Sequence, residues 1–443
     1  MKNKIFIECT HTFHCEINTG IQRVVRNILR HAPDAGKELS FEIYPVIYDE
    51  GRFVRIETLK VFEDKRTIGD SKSIKRKLLS LYHLGVETLA RLLPFHFIKR
   101  FLFAPKFQFG LSWCIYQPIK LIRSIVSSRA DNIQVSKGDI LLLLDSSWVL
   151  PIWDAVRKFK KDGGKVAGVI YDIIPITHVE TVADPFDKRF QRWIKEHSVH
   201  TDYYYTISQT VARELESYLG TINIERPFIV KHFYLGTELD FKNNVQIIDQ
   251  GLKNVFECCE QIYLVVGSIE PRKNHSYILN AFDNYWMNGG TAKLVIIGSS
   301  GWNNDATLER IHSHSSFAKK LFLLRNLSDA ELDYCYKNST ALIIASLVEG
   351  FGLPIVEAFN RGLPVLCSDI PVFREIAEDH AQYFDLCNYL SLTHLISTFS
   401  GRNRFEPINS SKIIPWLDWY ESTNSLFRLI KNDMSSEKNH RKV

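Results

Sequence analysis

The 443-residue sequence contains no Asp-x-Asp pair, no Gly-Lys-Ser phosphate loop and no Gly-x-Ser-x-Gly nucleophile turn. The first absence removes the carboxylate pair that would bridge a metal ion to a diphosphate. The other two exclude phosphate-loop nucleotide hydrolysis and the α/β-hydrolase type of acyl transfer. No apolar run approaches the roughly 18 residues that a membrane-spanning helix needs. The opening Ile5-Phe6-Ile7 is too short for a signal peptide and suits a first buried strand. Eight cysteines, at positions 9, 15, 114, 258, 259, 335, 367 and 387, show neither metal-ligand spacing nor a dense disulfide framework. A reducing, cytoplasmic setting is the expectation.

With 45% apolar and 24% charged residues, the chain has the composition of a globular protein with room for two or three domains. Its net charge of +5 is unevenly spread. Lys72 to Arg129 holds eleven basic residues and a single acid, Glu87, so that this window carries +10 and the remainder −5. A local excess of this kind argues against a nucleic-acid-coating protein.

Short β-rich apolar runs alternate with amphipathic stretches, the pattern of parallel sheets wound with crossover helices. Strands are expected at 4–9, 41–48, 140–145, 166–171, 203–207 and 228–232, then at 261–266, 293–297, 321–324, 341–345, 365–367 and 382–384. Two such series predict two doubly wound domains, residues 1–245 and 246–413, joined near the polar stretch 243–254. A helix over 414–430 and a disordered tail over 431–443 complete the chain. Residues 69–131 break the alternation with apolar and aromatic positions among the basic ones. Such an insertion either lies on an anionic membrane surface or packs on its own domain as a helical hairpin, and both readings stay open.

The strongest chemical signal is Glu349-Gly350-Phe351-Gly352-Leu353-Pro354-Ile355-Val356-Glu357, directly after an expected strand. Glycines let the backbone approach a ligand closely, and Pro354 suits the start of a helix. Bare N–H groups at that start form a ready diphosphate site. Glu349 falls on the loop, beside a sugar, and Glu357 on the first helical turn, within reach of a ribose. A second island, Gly267-Ser268-Ile269-Glu270-Pro271-Arg272-Lys273-Asn274, places two cations after a strand, where charge-assisted hydrogen bonds would stabilise a leaving diphosphate. Thr19-Gly20-Ile21-Gln22-Arg23 opens a helix after the first strand, which makes Gly20 a backbone contact and leaves Arg23 either in the cleft or solvated.

These motifs, followed by Ala358, Gly362-Leu363-Pro364-Val365 and Ser368-Asp369-Ile370-Pro371, resemble the retaining glycosyltransferases of family 4, glycosyl transferases group 1. The resemblance covers nearly all of the C-terminal half and only short islands of the N-terminal half. It implies the α/β GT-B fold, with two Rossmann-like domains facing across a cleft, and an enzyme transferring a sugar from a nucleotide diphosphate with retention and without a metal or cofactor. It assigns Lys273 to the leaving phosphate and the backbone at Asn326 and Leu327 to the base, with Gly298 on the rim. Many members carry an arginine where this chain has Ser268, so Arg272 is expected to supply that charge. Asp172, in a segment similar to bacterial mannosyltransferases, would fix the sugar or the acceptor hydroxyl, and His178 either does likewise or is structural.

The combination resembles enzymes that build bacterial O-antigen, capsule or lipopolysaccharide chains. Mannose from GDP-mannose is the first expectation for the donor, a lipid-linked glycan for the acceptor, and the inner face of the cytoplasmic membrane for a peripheral location. A UDP- or dTDP-sugar donor, a sugar-nucleotide epimerase and a non-catalytic membrane assembly partner are the alternatives.

Overall fold

The computed structural model describes residues 2–15, 20–57, 133–183, 185–222, 224, 228–237, 248–257, 261–399 and 417–440. The expected basic insertion, 69–131, and the proposed membrane contact over 72–129 lie outside them. The chain divides into a large compact unit, Met1–Arg52 with Val135–Val443, and a second unit, Phe53–Gln134.

The large unit holds two parallel sheets. The first contains β1 (Lys4–Glu8), β2 (Glu42–Asp49), β4 (Ile140–Leu143), β5 (Lys165–Ile170), β6 (Tyr203–Thr206) and β7 (Val230–His232), adjacent in the order β2-β1-β4-β5-β6-β7. A further short strand, β3 (Arg52–Arg55), leads into the second unit. The second sheet contains β8 (Ile262–Val266), β9 (Lys293–Ile297), β10 (Leu321–Leu324), β11 (Ala341–Ile344), β12 (Val365–Ser368) and β13 (Ala381–Phe384), in the order β10-β9-β8-β11-β12-β13. Helices cover both faces of such sheets, so their central strands are wholly apolar. Ile140–Leu143 and Ala341–Ile344 are buried at every position.

Both strand orders reverse direction once, between β1 and β4 and between β8 and β11. At such a reversal the loops leaving the two neighbouring strands run to opposite sides and open a crevice at the carboxyl ends. The segments after β8 and β11 are Gly267–Asn274 and Ala345–Gly352, the two motifs singled out in the sequence.

Three expectations change. The end of the anticipated joint at 243–254 falls in a helix, Gln250–Phe256, which the Asp249 carboxylate caps by accepting from the Leu252 amide at 3.1 Å. The last helix runs over Trp419–His440, so much of the anticipated tail is helical. Asp433, 3% exposed, accepts from the Tyr205 hydroxyl at 2.9 Å and pairs with Lys231, which ties this extra length to the first sheet. Pro354 stands at the second rather than the first residue of its helix, Leu353–Phe359. The last helix packs along the helix Ile21–Leu39, where Tyr420, Asn424 and Arg428 all reach the Glu38 carboxylate at 2.6 to 2.9 Å.

Candidate active site

Adjacency of β8 and β11 brings the two C-terminal motifs into contact. The Leu347 amide donates to the Arg272 carbonyl at 2.8 Å, which locks the loops together. Arg272 pairs with Glu349 and with Glu270, each at 2.6 Å, and Lys273 pairs with the other oxygen of Glu349. The Ser346 hydroxyl also donates to Glu349, at 2.8 Å. Burial alone would raise the Glu349 carboxyl, but Arg272 and Lys273 outweigh it and hold it at about 2. Burial lowers the Lys273 ammonium below its usual value against the opposing pull of Glu349. Burial likewise raises Glu270, with Arg272 and Lys273 working the other way. Two cations are thus held by two carboxylates at the mouth of the crevice.

The turn after Glu349 is built for close approach. Gly352 adopts φ +108°, and a side chain on Gly350 would sit 2.4 Å from the Tyr171 carbonyl at the end of β5. Gly298 is equally constrained, since its Cβ would fall 1.8 Å from the Gly267 carbonyl. Phe351 is buried, and among the described residues no protein acceptor takes the amides of Phe351, Gly352 or Leu353. Those amides stand at a helix start, the place where the sequence reading expects a diphosphate.

Asp172 follows β5 and lies beside this cluster. Burial raises its carboxyl, while Arg272 and the Ile174 amide, donating at 3.1 Å, oppose the rise. His178 is turned to its neighbour, Thr177, at 2.9 Å. Asn326 takes a left-handed conformation, φ +57°, which presents the Asn326-Leu327 backbone at the end of β10. Ser328 and Glu331 form the full reciprocal capping box that opens the helix Asp329–Asn338. Gly20 caps Ile21–Leu39 at φ +50°, with open space where a Cβ would be.

Glu357 does not stand open to the crevice. It is 2% exposed, accepts from the Tyr336 hydroxyl at 2.7 Å and pairs with Arg23 of the first sheet's leading helix. Other contacts across the two sheets were not foreseen. The Ser208 hydroxyl donates to the Gly350 carbonyl at 2.8 Å, Trp302 donates to the Thr181 carbonyl at 2.8 Å, and Glu375 accepts the amides of Gln209 and Thr210 at 2.6 and 2.7 Å. Nothing local in the sequence signals them, because the partners lie more than a hundred residues apart. Glu270 and Ser346 could have been found, since each flanks a motif residue and is of a type that binds cations or carboxylates. His275, 3% exposed and beside Lys273, was also missed; burial and that charge push its imidazole down to about 4.

Residues 253–388 match the family model described as Glycosyl transferases group 1. That stretch contains Arg272, Lys273, Glu349 and Glu357. The chain is 31% identical over 306 residues to the serotype-specific mannosyltransferase WbdA of Escherichia coli, an alignment covering 66% of this chain and 37% of that protein. It is 33% identical over 125 residues to the O-antigen chain mannosyltransferase RfbU of Salmonella typhimurium, covering 28% and 34%. The chain therefore spans little more than a third of the length of WbdA. Sucrose-phosphate synthase from Thermosynechococcus elongatus superposes with a TM-score of 0.54 at 13% identity, over 99% of both chains. A second structure, from Anabaena, gives 0.52 at 10% identity over 99% and 100%. The group 1 segment coincides with the second sheet and its crevice, and the two sheets of the large unit form the two-domain Rossmann-like GT-B fold.

Proposed function

We propose that this protein is a retaining, metal-independent glycosyltransferase that moves mannose from GDP-mannose to a lipid-linked glycan during O-antigen synthesis. The observation that carries the reading is the meeting of Arg272 and Lys273 on Glu349, the residue that opens the amide turn Gly350–Leu353. A diphosphate seated on those amides lies next to both cations, which offset the negative charge that grows on the departing phosphate. The bond between the anomeric carbon and that phosphate breaks as the acceptor oxygen bonds to the carbon on the same face. The acceptor's proton passes to the leaving phosphate oxygen. Asp172, across the crevice mouth, would orient the sugar or the acceptor hydroxyl. The names of the aligned relatives, mannosyltransferases of O-antigen chains, support the choice of sugar and process.

A thermal-shift series with GDP-mannose, UDP-glucose and dTDP-rhamnose tests the donor, since a ligand of the folded state raises its apparent stability. Selective stabilisation by GDP-mannose is expected. Selective stabilisation by UDP-glucose or dTDP-rhamnose would replace the donor, and no response to any would overturn the reading. Proton NMR of the product of GDP-mannose turnover then reports whether the anomeric configuration is kept.

A further inference from the structure

We propose that the first domain carries a second carbohydrate site, outside the donor crevice, that grips residues of the acceptor glycan remote from the reacting end. The proposal rests on the glycosyltransferase reading for the identity of that glycan. The site is a cavity of about 580 Å³ whose walls include Trp148, Trp153, Trp193, Arg189, Arg192 and Glu196. Its size falls within the range of small-ligand pockets, roughly 300 to 1,000 Å³.

Two elements build it. The chain leaving β4 turns through Ser147–Val149 and enters the helix Trp153–Lys161, which supplies two of the indoles. The helix Phe186–His200 supplies Arg189, Arg192, Trp193 and Glu196 from one face, at spacings of three, four and seven residues. Because β4 pairs with β5 in parallel, the Trp148 turn leaves the sheet at the same edge as Asp172, so the cavity and the crevice lie off one sheet edge.

The aromatic walls are held in place. Trp193 donates its indole N–H to the Ser147 hydroxyl at 3.0 Å, and Trp148 meets Trp193 edge to face with centroids 5.6 Å apart. Trp153 stacks on His200 at 5.8 Å and 27°. The charged groups are less committed. Arg189 and Arg192 have no ion-pair partner among the described residues, and the Glu196 carboxylate has only contacts of 3.5 Å to His200 and 4.0 Å to Arg157.

Fixed indoles beside uncommitted forked donors and a carboxylate match the chemistry of a pyranose. Its C–H face lies against an aromatic ring, and its rim hydroxyls accept from guanidinium and donate to carboxylate. Tryptophan and arginine also suit an anionic membrane, but the Glu196 carboxylate among the walls opposes lipid phosphate, so a glycan is the better occupant.

The test titrates the full chain with linear manno-oligosaccharides of increasing length, read by quenching of tryptophan fluorescence, with no donor present. The wild type is expected to bind long chains about tenfold more tightly than mannobiose. Arg192→Ala and Arg189→Ala, which leave the packed indoles intact, are expected to abolish that length dependence and leave acceptor-free hydrolysis of GDP-mannose unchanged. Trp153→Ala is expected to do the same, with circular dichroism to confirm folding. Equal binding by the wild type and both arginine variants would overturn the proposal. Arginine-dependent binding to phosphatidylglycerol vesicles without oligosaccharide binding would also overturn it. If no nucleotide sugar is hydrolysed or bound, the functional reading fails separately, because the titration needs no donor.

Discussion

Arg23 and Glu357 form an ion pair that joins the leading helix of the first domain to the group 1 domain, with Tyr336 completing the carboxylate's partners. The arginine side chain is 14% exposed and the glutamate 3%, so neither charge is well hydrated. A buried pair contributes little over an apolar equivalent, but removing one member strands the other. Arg23→Ala is therefore expected to destabilise the protein by roughly 3 kcal/mol. Arg23→Met combined with Glu357→Leu should cost clearly less than Arg23→Ala. Urea unfolding of the variants checks both expectations.

Lys273 and Arg272 are expected to act in the chemical step. Lys273→Ala should lower kcat by ~10²- to 10³-fold, as loss of one donor to a developing anion does elsewhere. Glu349→Gln keeps the shape of the side chain but releases both cations from the charge that places them, so kcat should fall while nucleotide binding persists. Steady-state turnover of GDP-mannose, together with nucleotide affinity by calorimetry, separates the two effects.

Gly350 tests whether the crevice must close as the structure shows. A methyl group there would collide with the Tyr171 carbonyl at 2.4 Å, a backbone atom of the other domain that has no rotamer to change. Gly350→Ala should push the domains apart at this point, and a misplacement near 1 Å can cost ~10²-fold in rate. The expected outcome is that loss of activity with a melting temperature close to wild type. A collapse in stability of the group 1 domain would show instead that the glycine serves folding.

The strand pattern was legible because central strands buried on both faces, such as Ile140–Leu143 and Ala341–Ile344, are continuously apolar, and all twelve expected runs lie close to observed strands. The missed strand, Arg52–Arg55, is short and has arginine at each end, so it carries no such signal. In the candidate site, Arg272, Lys273, Glu349 and the glycine turn were legible because each lies in the loop that leaves a strand end. Ser208, Tyr336 and Glu375 were not, since their partners are set by how the sheets face each other and not by local spacing. Glu357 illustrates the limit: it falls past the first helical turn on which it was expected, and its enclosure by Arg23 and Tyr336 depends on the tertiary arrangement.

Glu375 supplies a cap from the other domain. Its carboxylate accepts the Gln209 and Thr210 amides and the Thr210 hydroxyl, all within 2.7 Å, at the start of the helix Gln209–Thr221. An anion at a helix N-terminus satisfies otherwise unpaired donors and complements the helix dipole. Glu375→Ala is expected to cost about 1 kcal/mol. Because the contact joins the domains, small-angle scattering should also show a larger radius of gyration in the variant.

Glu8, beside Asp145, makes a pH-dependent contribution to stability of definite sign. Both are buried at the carboxyl ends of neighbouring strands, with Cys9 and the Tyr171 hydroxyl near them. Asp145 accepts the Thr12 and Ser146 amides at 2.6 and 2.7 Å, whereas Glu8 accepts the Thr10 amide at 2.8 Å through one oxygen. Burial and then the Asp145 charge raise the Glu8 carboxyl from 4.5 to about 7. Between those values the folded state binds a proton that the unfolded chain has released, so stability falls as pH rises from 4.5 to 7 and levels off above. The loss is on the order of 3 kcal/mol. Glu8→Gln keeps an acceptor for Thr10 and removes this titration, so its unfolding free energy should lose less over that interval than that of the wild type. Urea titrations at pH 5 and pH 8 make the comparison, and parallel behaviour of the two proteins would show that Glu8 is ionised throughout.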